Sequence, residues 1–261
     1  LCVMEISFNM AVSVKSQREI ELMREAGRIL GTVLNELEKE VKPGVSTWKI
    51  NQIGEEMIRS YGCIPSFLGY GGFPASICVS VNEKVVHGIP SKKEILKDGD
   101  IVSLDAGVIY KGYHSDAART YGAGEISPEA AKLIEVTRQS FFEGIKFAKE
   151  GCHLYEISNA IADYNEKFGY GVVRDLVGHG IGTELHEAPE IPNFRQSRRG
   201  MKLYEGMTLA IEPMVAMGDY RVETLDDDWT TVTIDKSLSA HYENTGRVTK
   251  EGPQMLALVE E

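Results

Sequence analysis

Apolar residues recur at helical spacing in four stretches of the chain, each closed by its own stop signal. After Ser16, with Glu19 three positions on, Ile20, Met23, Gly27, Leu30, Leu34 and Leu37 share a face until VKPG ends the run. Ser-x-x-Glu is a capping box, in which each side chain satisfies a backbone N–H at the helix start, so a helix begins there. A second helix is predicted over 46–61, with Ile50, Ile53, Met57 and Tyr61 on one face and Gly62 after it. Ser127-Pro128 reads as an N-cap with proline at the first helical position, leading into Ala130, Leu133, Ile134, Phe141 and Ile145 and stopping near KEG. A fourth helix carries Ile157, Ala160, Ile161, Tyr164 and Phe168 and ends before Gly169. Between these pairs the pattern changes. IVSLDAGVIY and YHSDAARTY read as two strands joined by a two-residue turn at Lys111-Gly112.

The helical pairs repeat at one offset. Adding 107 carries Lys42 onto Lys149, Gly44 onto Gly151, Ile50 onto Ile157, Gly62 onto Gly169 and Gly99 onto Gly206, and lays DIVSLD (100–105) on MTLAIE (207–212). A single offset over two separated blocks points to an internal duplication, a plan of two helices and two strands used twice. Two such halves pack about a pseudo-twofold axis, and Asp105 of the first then faces Glu212 of the second across a shared centre. The expected class is α+β, with two helices packed on antiparallel strands in each half.

Acids inside apolar strands need an explanation, because a buried carboxylate is costly unless it is paired or holds a metal. With the turn at 111–112, Asp116 stands opposite Gly107, and Asp105 is its diagonal neighbour about 7 Å away on the same face; a register shift of two would set the two directly opposite. Glu212 in TLAIEPM has the same predicament. Glu243 in SAHYENTGRVT, beyond a turn at Asp235-Lys236, adds a fourth. Four carboxylates and one imidazole suit hard to borderline divalent ions such as Mn, Fe, Co or Zn. Four negative charges exceed what one such ion balances, so two ions roughly 3.5 to 4 Å apart with a bridging water are expected.

VGHGIGTELHEAPEIPN (177–193) holds two histidines seven positions apart. Its glycines and prolines disfavour a helix, and an odd spacing in extended chain turns the two rings to opposite faces, so they are not two ligands side by side on one regular element. A helical H-E-x-x-H site fails too, since position 190 is glutamate and Pro189 interrupts the turn.

Composition narrows the class. In 261 residues, 43% are hydrophobic, enough for a sizeable core in one large domain or two small ones. The formal charge of −11 disfavours a general affinity for nucleic acid or anionic membrane. Cys2, Cys63, Cys78 and Cys152 have neither disulfide-framework nor thiolate-zinc spacing, which favours a reducing compartment. No apolar run has the length of a membrane span, and the N-terminus lacks a basic signal region, so a cytoplasmic protein is expected. Met10-Ala11 reads as a natural start, with residues 1–15 an extension ahead of a single domain over 16–261. Neither a G-x-S-x-G elbow nor a P-loop occurs.

YGGFPASICVSVNEKVVHGIP (70–90), GDIVSLDAG (99–107), GYHSDAARTY (112–121), VGHGIGTELHEAPEIPN, GMTLAIEPM (206–214) and SLSAHYENT (237–245) together resemble the type I methionine aminopeptidases, in that family's order and spacing. The resemblance runs from residue 16 to the C-terminus. It implies the pita-bread fold shared with prolidase and aminopeptidase P, and release of an N-terminal methionine from nascent chains whose second residue is small. It implies Asp105, Asp116, His179, Glu212 and Glu243 as ligands of two divalent ions (Co, Mn, Fe(II) or Zn), with Glu212 also the general base for a metal-bridged water. His87 and His186 become substrate-contacting catalytic groups outside the ligand set. Tyr70, Phe73, Cys78 and Trp229 match positions that line the methionine pocket. His114, His153 and His241 match no catalytic position and are left to structural roles. The implied partners are nascent-chain N-termini and the ribosome, with no specific nucleic acid or membrane, and the chain is expected to be monomeric. Phe67, Phe73, Leu185 and Asn244 depart from residues common in the family, which puts pocket shape in question and removes no ligand. Prolidases bring a large preceding domain, and type II enzymes a helical insertion, for which the spacing here leaves no room. The rival from another class is a binding protein of the same fold that has lost catalysis.

Overall fold

A computed structural model of the chain describes residues 12–257. The proposed start at Met10, and most of the 1–15 extension, lie outside the described residues. Four helices carry the predicted pattern: α1 (Gln17–Glu38), α2 (Thr47–Ser60), α3 (Pro128–Ile145) and α4 (Leu154–Glu166). The Ser16–Glu19 capping box forms as read, and the Ser127 hydroxyl caps α3 ahead of Pro128. All six residues picked out on α1 are buried. On α2 the buried face is rotated: Ile50, Asn51, Gly54 and Ile58 point inward, while Ile53 and Met57 pack at its edge and Tyr61 is exposed. Gly54 explains the rotation, because a Cβ there would lie 2.7 Å from the Ile77 side chain. Only a glycine lets the helix approach that strand so closely.

One antiparallel sheet of nine strands spans the molecule: β1 (Ile64–Pro65), β2 (Ile77–Val81), β3 (Ile101–Tyr110), β4 (Tyr113–Gly122), β5 (Gly178–Gly180), β6 (Glu187–Ile191), β7 (Thr208–Ile211), β8 (Glu243–Val248) and β9 (Pro253–Met255). Its main path runs β1-β3-β4-β8-β7-β5-β6, with β2 against β3 and β9 against β8. The hairpin of β3 and β4 turns at Lys111 (φ 49°) and Gly112 (φ 85°), the paired positive φ values of a type I′ turn. Its register sets Gly107 opposite Asp116 and Asp105 opposite Ala118, which is the diagonal arrangement of the two acids rather than the direct one.

The internal repeat is visible in the backbone. Gly44 and Gly151 have φ of 88° and 90°, Gly99 and Gly206 90° and 89°, Gly62 and Gly169 69° and 73°. Gly44 N–H donates to Leu96 carbonyl at 2.8 Å, and Gly151 N–H to Leu203 carbonyl at 3.0 Å, the same bond 107 positions on. Bridges Ser46–Ile95 and His153–Lys202 repeat with that offset. The helices cover one face of the sheet through two apolar clusters, one around Leu30, Leu34, Ile50 and Leu104, the other around Phe141, Ile157, Leu209 and Ile211. The candidate site residues lie where the strands of the two halves meet on the opposite face.

Candidate metal centre and active site

The acids reach that face because strand alternation puts them there. On β3, Val102 and Leu104 point into the first apolar cluster, so Asp105 points away from it. Asp116 comes from β4, Glu243 opens β8 opposite Ala118, and Glu212 follows the last residue of β7. His179 stands at the centre of β5, paired with Ala210 of β7. His179 Nε2 lies 3.5 Å from Glu212 Oε1 and 3.9 Å from Asp116 Oδ2. Asp116, His179 and Glu243 form one set of donor atoms that could share an ion; Glu212, Glu243 and His241 form a second. Both sets are centred on Glu243.

The imidazole of His179 is prepared for ligation. Its Nδ1 sits 2.8 Å from the carbonyl of Gly180, and since a carbonyl only accepts, the proton is on Nδ1 and the Nε2 lone pair faces the carboxylates. Burial keeps the ring neutral by lowering its pKa to about 4. The carboxylates are pushed the other way. Burial raises Asp105 to about 7, and burial together with neighbouring carboxylates raises Asp116, Glu212 and Glu243 well above the usual range. Buried oxygens Asp105 Oδ1, Asp116 Oδ1 and Glu243 Oε1 have no hydrogen-bond partner among the described residues. Mutually repelling acids with orphaned oxygens and a neutral imidazole among them lack a positive charge, and a divalent ion fits that donor set.

Arg119 supports the centre from beneath. Its guanidinium donates to the carbonyls of Ala118 and Glu243 and, at 2.7 Å, to Asn244 Oδ1, while stacking 4.3 Å from the Tyr242 ring. Asn244, one of the departures from the family pattern, is therefore tied into the base of the site.

An apolar cluster rich in aromatic rings adjoins the acids. Tyr70, Phe73, Cys78 and Trp229 lie in one apolar cluster with Phe67, Ile181 and Leu185, so three of the departures sit among the expected lining residues. Phe73 meets Trp229 edge-on at 5.2 Å, and His87 meets Trp229 edge-on at 6.3 Å. Cys78 stands directly opposite Asp105 in the β2–β3 ladder, which joins the cluster to the acids through adjacent strands. His186 stacks against His179 at 4.3 Å, and its Nδ1 is 2.7 Å from the Tyr70 hydroxyl. The rings of the two histidines of 177–193 thus approach each other although the residues share no regular element, His179 lying on β5 and His186 just before β6. Spacing alone could not have given that.

His114 bonds Ser66 and His153 starts α4, as their structural assignment expects. His241 differs from that expectation. Its ring is 1% exposed and its Nε2 lies 3.9 Å from Glu212 Oε2 and 4.0 Å from Glu243 Oε2. The sequence signal was its position two residues before Glu243, on a strand (Ser239–His241) that pairs beside Met214, two residues past Glu212.

The His186 arm is braced from the N-terminal side. Glu187 Oε2 accepts from the Ser13 hydroxyl at 2.7 Å and pairs with the Lys15 ammonium, both ion-pair side chains being more than nine-tenths buried. Removing one partner of a buried pair leaves an uncompensated charge, so Lys15→Met lowers unfolding stability by roughly 3 to 5 kcal/mol, and adding Glu187→Gln restores much of it. Denaturant melts of the single and double variants measure this; a Lys15→Met midpoint equal to wild type means the pair contributes nothing.

Comparison with known proteins fits this geometry. The pattern of metallopeptidase family M24 matches residues 21–250. The chain belongs to this family. Within it, the M24 chain is 57% identical to a methionine aminopeptidase of Clostridium acetobutylicum over 95% of its own length and 100% of the relative's. The crystal structure of methionine aminopeptidase from Thermotoga maritima superposes with a TM-score of 0.93 at 43% identity, covering 95% and 100% of the two chains. A Xaa-Pro dipeptidase from Bacillus anthracis superposes at 0.77 with 27% identity, over 95% of this M24 chain and 62% of that one. The pita-bread fold is the common element of these neighbours, and the α+β architecture anticipated from the repeat is this fold.

Proposed function

We propose that the chain is a type I methionine aminopeptidase, which hydrolyses the bond after an N-terminal methionine when the second residue is small. The observation that carries the reading is a group of buried, orphaned carboxylates with His179 beside an apolar cluster of aromatic rings and the Cys78 sulfur. Aromatic faces and a soft sulfur accommodate a thioether side chain. In this reading Asp105, Asp116, His179, Glu212 and Glu243 hold two divalent ions, drawn from Co, Mn, Fe(II) and Zn. When bound, the ions supply Lewis acidity and make water a nucleophile near neutral pH.

The chain's own groups do the rest. Glu212, at the rim of the acid cluster, takes a proton from the attacking water and delivers it toward the leaving amine. His186, fixed by Tyr70, and His87, beside Trp229, present imidazole groups to the scissile amide; a neutral ring can donate one N–H to the developing oxyanion. Phe73 and Trp229 close the pocket on the methionine side chain. The setting we assign is the cytoplasm, with a monomer acting on nascent chains near the ribosome and without binding nucleic acid specifically. Among the described residues no helix is long and apolar enough to cross a membrane.

The test is methionine release from Met-Ala-Ser and Met-Leu-Ser peptides by chelated protein titrated anaerobically with Mn, Fe(II) and Co. The expected result is metal-restored cleavage of the first peptide and little of the second. Bound metal without cleavage of either would favour the non-catalytic binding protein.

A further inference from the structure

The resemblance leaves His241 outside the ligand set, although it shares a possible donor set with Glu212 and Glu243 and its ring is as deeply buried as any group in the centre. Among the described residues neither Nδ1 nor Nε2 has a hydrogen-bond partner, and Nε2 lies near two carboxylates. The contrast with His179 separates two roles. At His179 the Gly180 carbonyl holds the proton on Nδ1, leaving a lone pair on Nε2. At His241 no acceptor among the described residues holds a proton on Nδ1, whereas two carboxylates lie on the Nε2 side, so the tautomer that suits the surroundings carries its proton on Nε2. The two oxygens of Glu212 are divided between these rings. Oε1 lies 3.5 Å from His179 Nε2, on the side of the ligand set, and Oε2 lies 3.9 Å from His241 Nε2.

We infer that His241 is a positioning residue for Glu212: its Nε2–H is aimed at Oε2 and closes to a hydrogen bond when the acid cluster is neutralised, fixing the carboxylate's rotation. Ligating carboxylates are commonly held by such outer hydrogen bonds, and losing one costs about 10- to 100-fold in metal affinity or activity. His241 reaches this place by strand pairing. It faces Met214, and the Thr120 hydroxyl, which accepts its backbone N–H at 2.9 Å, also donates to its carbonyl at 2.8 Å. The backbone is therefore pinned on both sides, and the ring has little freedom except at its tip.

This inference rests on the proposed role of Glu212, so its test includes a readout independent of turnover. Glutamine places an amide N–H₂ near the imidazole Nε2 position, whereas leucine fills similar volume with no donor. His241→Gln is expected to keep kcat and manganese affinity, measured calorimetrically, within about threefold of wild type; His241→Leu is expected to lose 10- to 100-fold in kcat with KM little changed. In a Glu212→Gln background, His241→Leu should cause no further fall in kcat. ¹⁵N-histidine spectra of the zinc-loaded wild-type protein should show His241 protonated at Nε2, with His179 carrying its proton on Nδ1. A leucine variant that matches wild type in kcat and metal affinity, or a glutamine variant as impaired as the leucine one, would overturn the inference, as would a zinc-bound Nε2 at His241 in the spectra. The spectra need neither variant folding nor activity, so they decide the point even if the peptidase reading fails.

Discussion

Glu212→Gln lowers kcat for Met-Ala-Ser at least 100-fold, without loss of folded structure. Three observations lead there. Glu212 has the most exposed side chain of Asp116, Glu212 and Glu243, at 14% against 6% and 2%, so of the three it is the one nearest solvent. In the metal-free protein burial and the nearby Asp116 and Asp105 raise its proton affinity, so this carboxylate sits where taking up a proton relieves repulsion. Its backbone carbonyl accepts from Asn193 at 3.1 Å, so the segment is held whichever side chain it carries. Glutamine keeps shape and one oxygen but cannot accept the proton, and general-base catalysis is typically worth about 10² to 10⁴ in rate. Exchanging one of four mutually repelling acids for a neutral amide relieves repulsion, so the melting temperature of the chelated variant does not fall. Steady-state kinetics with matched metal content make the measurement. A variant that keeps more than about a tenth of wild-type kcat would remove Glu212 from the base role.

Much of this site was legible before any coordinates, for physical reasons that differ from residue to residue. Asp105 and Glu212 stood out because a charge inside an apolar strand demands compensation, and the 107-residue offset set them across from each other. Asp116 followed from turn length: two residues at 111–112 fix the register of the whole hairpin, and the ladder obeys it to Ile101–Gly122. The roles of His87 and His186, and the pocket residues, were carried only by family resemblance, since a loop histidine or a core phenylalanine has no local signature of its own. What stayed hidden was long-range. His241 meets Glu212 through a short strand pair, Lys15 meets Glu187 across 172 positions, and the rotated face of α2 answers to Ile77. Such contacts depend on tertiary packing, which single-chain periodicity does not encode.

Removing the metal makes stability fall with rising pH above about 7.5, and restoring it offsets that slope. The sign follows from which state holds more protons. The acids of the centre have folded pKa values above their ordinary ones, Asp105 at about 7 and the other three higher than usual by burial and mutual repulsion. Between the unfolded carboxylate pKa, about 4, and those folded values, the native state binds more protons than the unfolded one, so stability falls as pH rises. Buried histidines oppose this. Burial lowers His87, His114 and His179 to about 4 and His241 to about 3, so the unfolded state holds their protons below about 6.5 and stability rises with pH there. Above about 7.5 these histidines are neutral in both states and their contribution is constant, which leaves the carboxylates to set the slope, joined in the same direction by Cys63 and Cys78, whose thiols burial pushes up. The unfavourable ionisation grows by as much as about 1.4 kcal/mol per pH unit for each acid still titrating. Divalent ions compensate the ionised acids and bind more tightly as the competing protons leave. With free metal at 100 times Kd the loaded protein gains about 2.7 kcal/mol over the chelated one, or roughly 5 to 10 °C in Tm for a chain of this size. Scanning calorimetry from pH 7.5 to 8.5, with chelator and with manganese, should show a Tm gap that widens with pH. A gap that stays constant or narrows would mean that the buried acids are balanced by something other than the ion, and the centre would lose its electrostatic reason for holding one.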